Sequence, residues 1–224
     1  QPILILSNGD WLLPMYYSLP AAGHADDHSV VQISTDRGRT WTEYPVPESR
    51  GRVHMSVVEV APGRLVAFFR SRAADRIYTS RSEDIGRTWT APVRTALPNN
   101  NASIQALRLQ SGRIALIHNH HGASDDPAST VWPRRRYPVT VAVSEDEGET
   151  WPWMRHVDPS DGFAGERNEH LNRRCAYPCI LQTPDGLVHM AYSYRDRQCI
   201  KYVRVREEWF LDARDDLYTN RTND

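Results

Sequence analysis

Four polar side chains in a row, His118, Asn119, His120 and His121, stand where an apolar run ends, and three cysteines, Cys175, Cys179 and Cys199, lie further along. Imidazoles and thiolates are the usual ligands of transition metals. Neither set converges on one ion: consecutive side chains on a strand point to opposite faces, and the cysteines follow no metal-ligand spacing, so they read as packing thiols. The sequence therefore predicts no metal site and carries no cofactor motif. Asn119 and His120 suit contact with substrate hydroxyls instead. Beside them runs Arg134-Arg135-Arg136. Such a run often forms a solvated loop face, yet a planar guanidinium also grips a carboxylate through two parallel charge-assisted bonds. Arg70, His54, Tyr177, Arg195 and Arg197 are further side chains of reactive type, each also readable as a strand-end or core residue.

The elements that must position these residues are announced by a repeat. Ser-x-Asp-x-Gly-x-Thr-Trp occurs at Ser34–Trp41, Ser82–Trp89 and Ser144–Trp151. Its chemistry is that of a hairpin turn: Asp and Ser bond backbone amides, Gly supplies a positive φ, and Thr-Trp opens the next strand with Trp as an anchor. A second repeat is locked to it in phase. Gly9, Gly63, Gly112 and Gly186 each sit in a turn between two β-rich runs. No stretch reads as a long amphipathic helix. Recurring hairpins of this kind predict a radial array of small antiparallel sheets, a β-propeller. About four blades are expected, over residues 1–50, 51–98, 99–158 and 175–210, followed by a charged tail, 211–224, that frays. The last blade lacks the motif, and its first strand is expected over 177–182. Two polar loops, 119–137 and 159–174, interrupt the pattern, placed where a rigid scaffold displays functional loops.

The repeated motif is the Asp-box, and the chain resembles the last four blades of a six-bladed bacterial-type sialidase, in order and over nearly its whole length. Several spacings match. Arg70 follows Gly63 at seven residues, Arg136 precedes the motif serine Ser144 by eight, and Ala176-Tyr177-Pro178 opens the following blade. The resemblance implies that Arg70 and Arg136 are two of three arginines gripping a substrate carboxylate and that Tyr177 is the nucleophile. It departs from the family at two carboxylates. His54, sixteen residues before Arg70, stands where the family has the Glu that activates the tyrosine, so an imidazole would serve as base. Arg195 stands where the family has a second Glu. The remaining arginine and the acid/base Asp of the family belong to blades that would precede Gln1.

Bulk properties exclude several classes. With a formal charge of −1 over 224 residues and a pI near 6.8, the chain offers no bulk attraction to nucleic acid. No apolar run approaches a membrane span. The expected partner is an acidic glycan or sialoside, and four blades of six would pair with the missing blades or another chain at exposed sheet edges. Three activities fit: hydrolysis of a sialic acid or related glycoside, elimination on a uronate glycan using His, Tyr and Arg, and carbohydrate binding without turnover. Asn101-Ala102-Ser103 and Asn220-Arg221-Thr222 match the N-glycosylation triplet.

Overall fold

A computed structural model describes residues 1–18, 21, 23, 24, 26–133, 136–157, 175–194 and 197–212. The chain divides into two compact units. The first, residues 1–101 with 122–132, holds two four-stranded meanders. One is β1 (Leu4–Ile5), β2 (Trp11–Tyr17), β3 (His28–Ser34) and β4 (Thr42–Pro45); the other is β5 (Arg52–Ala61), β6 (Arg64–Ser71), β7 (Arg76–Ser82) and β8 (Val93–Pro98). The second unit, residues 102–121 and 133–224, holds β9 (Gln105–Arg108), β10 (Ile114–Asn119), β11 (Val139–Ser144) and β12 (Trp153–His156), then β13 (Cys179–Gln182), β14 (Leu187–Tyr194) and β15 (Cys199–Arg206). Every pairing is antiparallel. The last blade opens two residues later than expected, and Tyr177 just before it takes a positive φ, which regular strand pairing does not accommodate. A short helix, α1 (Glu208–Leu211), follows β15. It docks Phe210 into the core of the second unit, so the chain is anchored as far as residue 211. The rest of the expected tail, and the loop 159–174, lie outside the described residues.

The Asp-box works as its chemistry requires. In the first copy, Ser34 Oγ donates to Asp36 (2.8 Å) and accepts from the Gly38 amide (2.8 Å). Asp36 accepts from the Thr40 amide (2.8 Å) and hydroxyl (2.7 Å). The same four bonds recur at Asp84 and at Asp146. The Thr40 amide, then the Thr40 and Ser34 hydroxyls, hold the Asp36 carboxyl down at about 2. At Asp84 and Asp146 burial pushes the other way, but the threonine and serine bonds outweigh it and the carboxyl again lies below its ordinary value. Each box therefore stabilises the fold fully above the ordinary carboxylate range and loses that contribution as pH falls through the lowered value.

Glycine is required most stringently at Gly86. It has φ +85, and a Cβ there would lie 2.8 Å from Leu12 Cδ1 and 3.2 Å from Leu65 Cδ1. The second box thus presses onto the first sheet, within a core of Leu6, Leu12, Val31, Ile33, Met55, Leu65, Phe69 and Trp89. In the second unit β10 and β11 are buried at every position, as expected of strands covered on both faces. In urea unfolding, Gly86→Ala is expected to cost about 1–3 kcal/mol from overpacking. Asp84→Ala should cost about 1–3 kcal/mol by leaving donors of the turn without their acceptor. An unchanged midpoint in either variant would contradict this account of the turn.

Candidate functional site

In a four-stranded meander the turn from first to second strand and the turn from third to fourth lie at one end, and the connection from second to third lies at the other. The glycine turns and Asp-boxes occupy the first end of each sheet. The candidate residues occupy the opposite one: Arg70 closes β6, His54 lies near the start of β5, Asn119 closes β10, Arg136 and Tyr177 precede β11 and β13.

In the first unit, Arg70 is only 4% exposed. Its Nε donates to Asn101 Oδ1 at 2.7 Å, and Asn101 Nδ2 donates to the Val131 carbonyl at 2.7 Å. Asn101 is fully buried with φ +54. The glycosylation triplet is thus an internal bracket for Arg70, inaccessible in the folded chain. Trp132, half exposed, has its ring 5.6 Å from the Arg70 guanidinium and 4.9 Å from that of Arg72. Arg72 is buried and donates through Nε (2.9 Å) and Nη2 (2.6 Å) to Asp27 Oδ2. His24 Nδ1 lies 3.3 Å from the same oxygen. His54 sits in a β-bulge of β5, between Val53 and Ser56, with φ +51. Bulges re-aim side chains beside functional sites, and this one brings His54 Nε2 to 3.1 Å from Tyr16 Oη.

The loop after β10 is fixed to this unit. Ala123 and Ser124 donate to the Ala74 carbonyl, Val131 to Arg72, Arg52 to Pro127 and Arg94 to Asp125. Beneath it Asp75 accepts from Ser71, Tyr78 (2.8 Å) and Arg94 (3.1 Å). Burial opposes ionisation of Asp75, but these bonds and Arg52 keep its carboxyl below the ordinary value. A polar cleft of about 340 Å³ between the loop and Asp75, Arg76 and Pro98 contains none of the candidate residues.

In the second unit, Arg136 is 9% exposed. Asn119 is buried, and its Nδ2 donates to the carbonyls of both Arg136 and Cys175 at 3.0 Å, so its amide clasps the two chain segments that carry Arg136 and Tyr177. Ala176 exchanges three bonds of 3.0 Å with Ser193. Tyr177, held just beyond it with φ +55, is 52% exposed and lies under the Arg197 guanidinium at 5.5 Å. Arg134, Arg135 and Arg195 lie outside the described residues. His118 is buried, its Nε2 3.2 Å from His120 Nδ1, while His156 Nδ1 meets Thr140 Oγ1 at 2.8 Å.

The fold matches that of sialidase β-propellers. A Hadza microbial sialidase aligns over 93% of this chain and 37% of its own, at 18% identity and a TM-score of 0.70. The Trypanosoma rangeli sialidase aligns over 92% and 31%, at 16% identity and 0.65. The intramolecular trans-sialidase of Ruminococcus gnavus aligns over 90% and 41%, at 18% identity and 0.61. The chain thus spans less than half the length of these structures. Residues 1–190 match the BNR repeat-like domain, and the protein belongs to that family. No curated protein matches it significantly. Among the described residues no helix is long and apolar enough to cross a membrane.

Sequence reasoning missed Tyr16, Asp27, Arg72, Asn101 and Trp132. Arg72 could have been found from Arg70-Ser71-Arg72, since alternate residues at a strand end share a face. The others are brought in by long-range contacts with no local signal.

His118 generates a test of the second unit. Burial first, then the neighbouring histidines, push its imidazole down to about 3 from 6.5. A histidine held neutral in the fold contributes stability above its unfolded value and loses it as pH falls below about 6.5. The expected loss is about 1.4 kcal/mol per pH unit below that point. Urea titrations from pH 7.5 to 5 should show this slope in the native protein and a shallower one in His118→Gln.

Proposed function

We propose that this domain is the C-terminal portion of the propeller of a longer, sialidase-like glycoside hydrolase acting on sialic acid or a related carboxylated sugar. The observation that carries the reading is Arg70, a guanidinium buried at a strand end, fixed through Nε by a neutral amide and flanked by Arg72 and the half-exposed Trp132. Such an arrangement suits a planar anion presented beside an apolar sugar face. Arg136, held through its backbone by Asn119, is the second carboxylate ligand in this proposal, and Arg195 a further contact. Tyr177 is the nucleophile: a phenol avoids the repulsion that a carboxylate nucleophile would meet against an anionic substrate, and it requires a base. His54 supplies a base in place of a carboxylate. That substitution also favours a second reading, elimination on a uronate glycan, in which histidine and tyrosine move the proton and arginine neutralises the carboxylate.

The test uses the full-length protein with an aryl α-sialoside, a uronate oligosaccharide and a neutral aryl glycoside. Arg136→Ala should depress turnover of the carboxylated substrate far more than that of the neutral one. Tyr177→Phe should lower kcat about 10²–10⁴-fold or more while leaving binding largely intact. Free sialic acid identifies hydrolysis, an ultraviolet-absorbing unsaturated product identifies elimination, and binding without turnover leaves a lectin-like module. The isolated 224-residue chain should be nearly inactive, since the family's acid/base Asp has no match within it. Full activity of Tyr177→Phe would remove the nucleophile assignment.

A further inference from the structure

Tyr16 stands near the end of β2, half-buried, with Oη 3.1 Å from His54 Nε2 and the two rings 4.9 Å apart at 39°. The two residues are 38 positions apart and belong to different sheets of the first unit. His54 reaches the phenol because the β5 bulge gives it a positive φ, a conformation that costs a β-substituted residue of order 1–3 kcal/mol and collects at functional sites. The Gln1 side-chain amide donates to the His54 carbonyl. The Arg72 guanidinium lies 5.7 Å from the Tyr16 ring centroid, fixed there by Asp27. Among the described residues, the Arg72 guanidinium stands beside the pair and carries Asp27 with it, while His24 meets Asp27 from the connection after β2.

Resting on the glycan reading above, we infer that Tyr16 and His54 form a proton-transfer dyad of that site. The phenolic proton of Tyr16 passes to His54 Nε2. As that proton leaves, Tyr16 Oη takes one from an incoming water, and the water oxygen's electron pair forms the new bond to the anomeric carbon. The bond from that carbon to the leaving oxygen breaks, its electron pair stays on the leaving oxygen, and a carboxylic acid of the full-length protein on the opposite face of the sugar protonates it; the imidazolium then returns its proton to that carboxylate through solvent. One glycoside and one water become two hydroxyl products, and the dyad returns to its starting state. Tyr16 thereby gives His54 a proton partner on its own unit.

The experiment compares wild type, Tyr16→Phe and His54→Gln in the full-length protein, with 4-methylumbelliferyl α-sialoside as the probe. Phenylalanine keeps the ring contacts to His54 and Arg72 and removes only the hydroxyl. Tyr16→Phe is expected to lower kcat about 10²–10⁴-fold, to leave KM within about two-fold, and to abolish the limb of the pH–rate profile that wild type shows for the pair. His54→Gln retains a hydrogen-bonding group but cannot carry the proton, should show the same loss, and decides the question if Tyr16→Phe fails to fold. A merely structural tyrosine would leave the pH profile in place. Unchanged kcat and pH profile in Tyr16→Phe would overturn the dyad and leave the glycan reading standing. Wild type that turns over no carboxylated probe would defeat the glycan reading instead. In that case an NMR titration of the His54 imidazole still reports on the pair. A titration displaced in Tyr16→Phe supports the shared proton, and an identical one overturns it.

Discussion

The Asp-box carboxylate is the interaction on which the rest of this structure depends. One aspartate gathers a backbone amide and a threonine hydroxyl, and a serine oxygen four residues before the glycine receives the glycine amide. The turn between third and fourth strands is thereby closed by charge-assisted bonds rather than by its backbone alone. Gly86 shows the further consequence. Its turn is close-packed against Leu12 and Leu65, so the hairpin that ends one sheet also fills the core it shares with its neighbour. Closing one end of each meander so firmly leaves the other end available for irregular backbone.

Left-handed backbone occurs in the boxes, at Arg37, Ile85 and Glu147, and again at the other end. His54 and Tyr177 both have positive φ, as do Ala74, Asn101 and Arg197. Such conformations persist only where surrounding contacts over-determine them. Here the contacts are visible. Asn101 is held by Arg70 and Val131, Ala176 by Ser193, and the Arg136 and Cys175 carbonyls by one asparagine amide. The polar residues at these positions spend much of their bonding capacity on positioning. Asn119 illustrates the difference from expectation: a residue type suited to sugar hydroxyls acts, in this fold, as a clasp between two chain segments.

Charge is arranged by similar means in the two units. Both place guanidinium groups beside aromatic rings: Arg70 and Arg72 near Trp132 and Arg52 3.8 Å from the centre of Tyr78 in the first, Arg155 4.1 Å from Trp209 in the second. A buried cation is costly unless bonded, and Asp27 and Asp75 offset that cost for Arg72 and Arg52. The second unit also buries imidazole, with His118 held neutral by burial.

The sequence by itself determined the elements. Three Asp-boxes and four glycine turns specify strands, hairpins and their phase, because each turn needs particular residues at fixed local offsets and nothing distant can supply them. Its resemblance to sialidases also singled out Arg70, Arg136, Tyr177 and His54 as candidates. Tertiary structure alone decided their partners. Tyr16 meets His54 only through a bulge in one sheet and the packing of another; Arg70 meets Asn101 only because the chain after β8 folds back on β6; Asp27 finds Arg72 across 45 residues. Such pairings leave no periodic or local trace in a sequence, since they follow from how whole sheets pack rather than from the conformational preference of any residue.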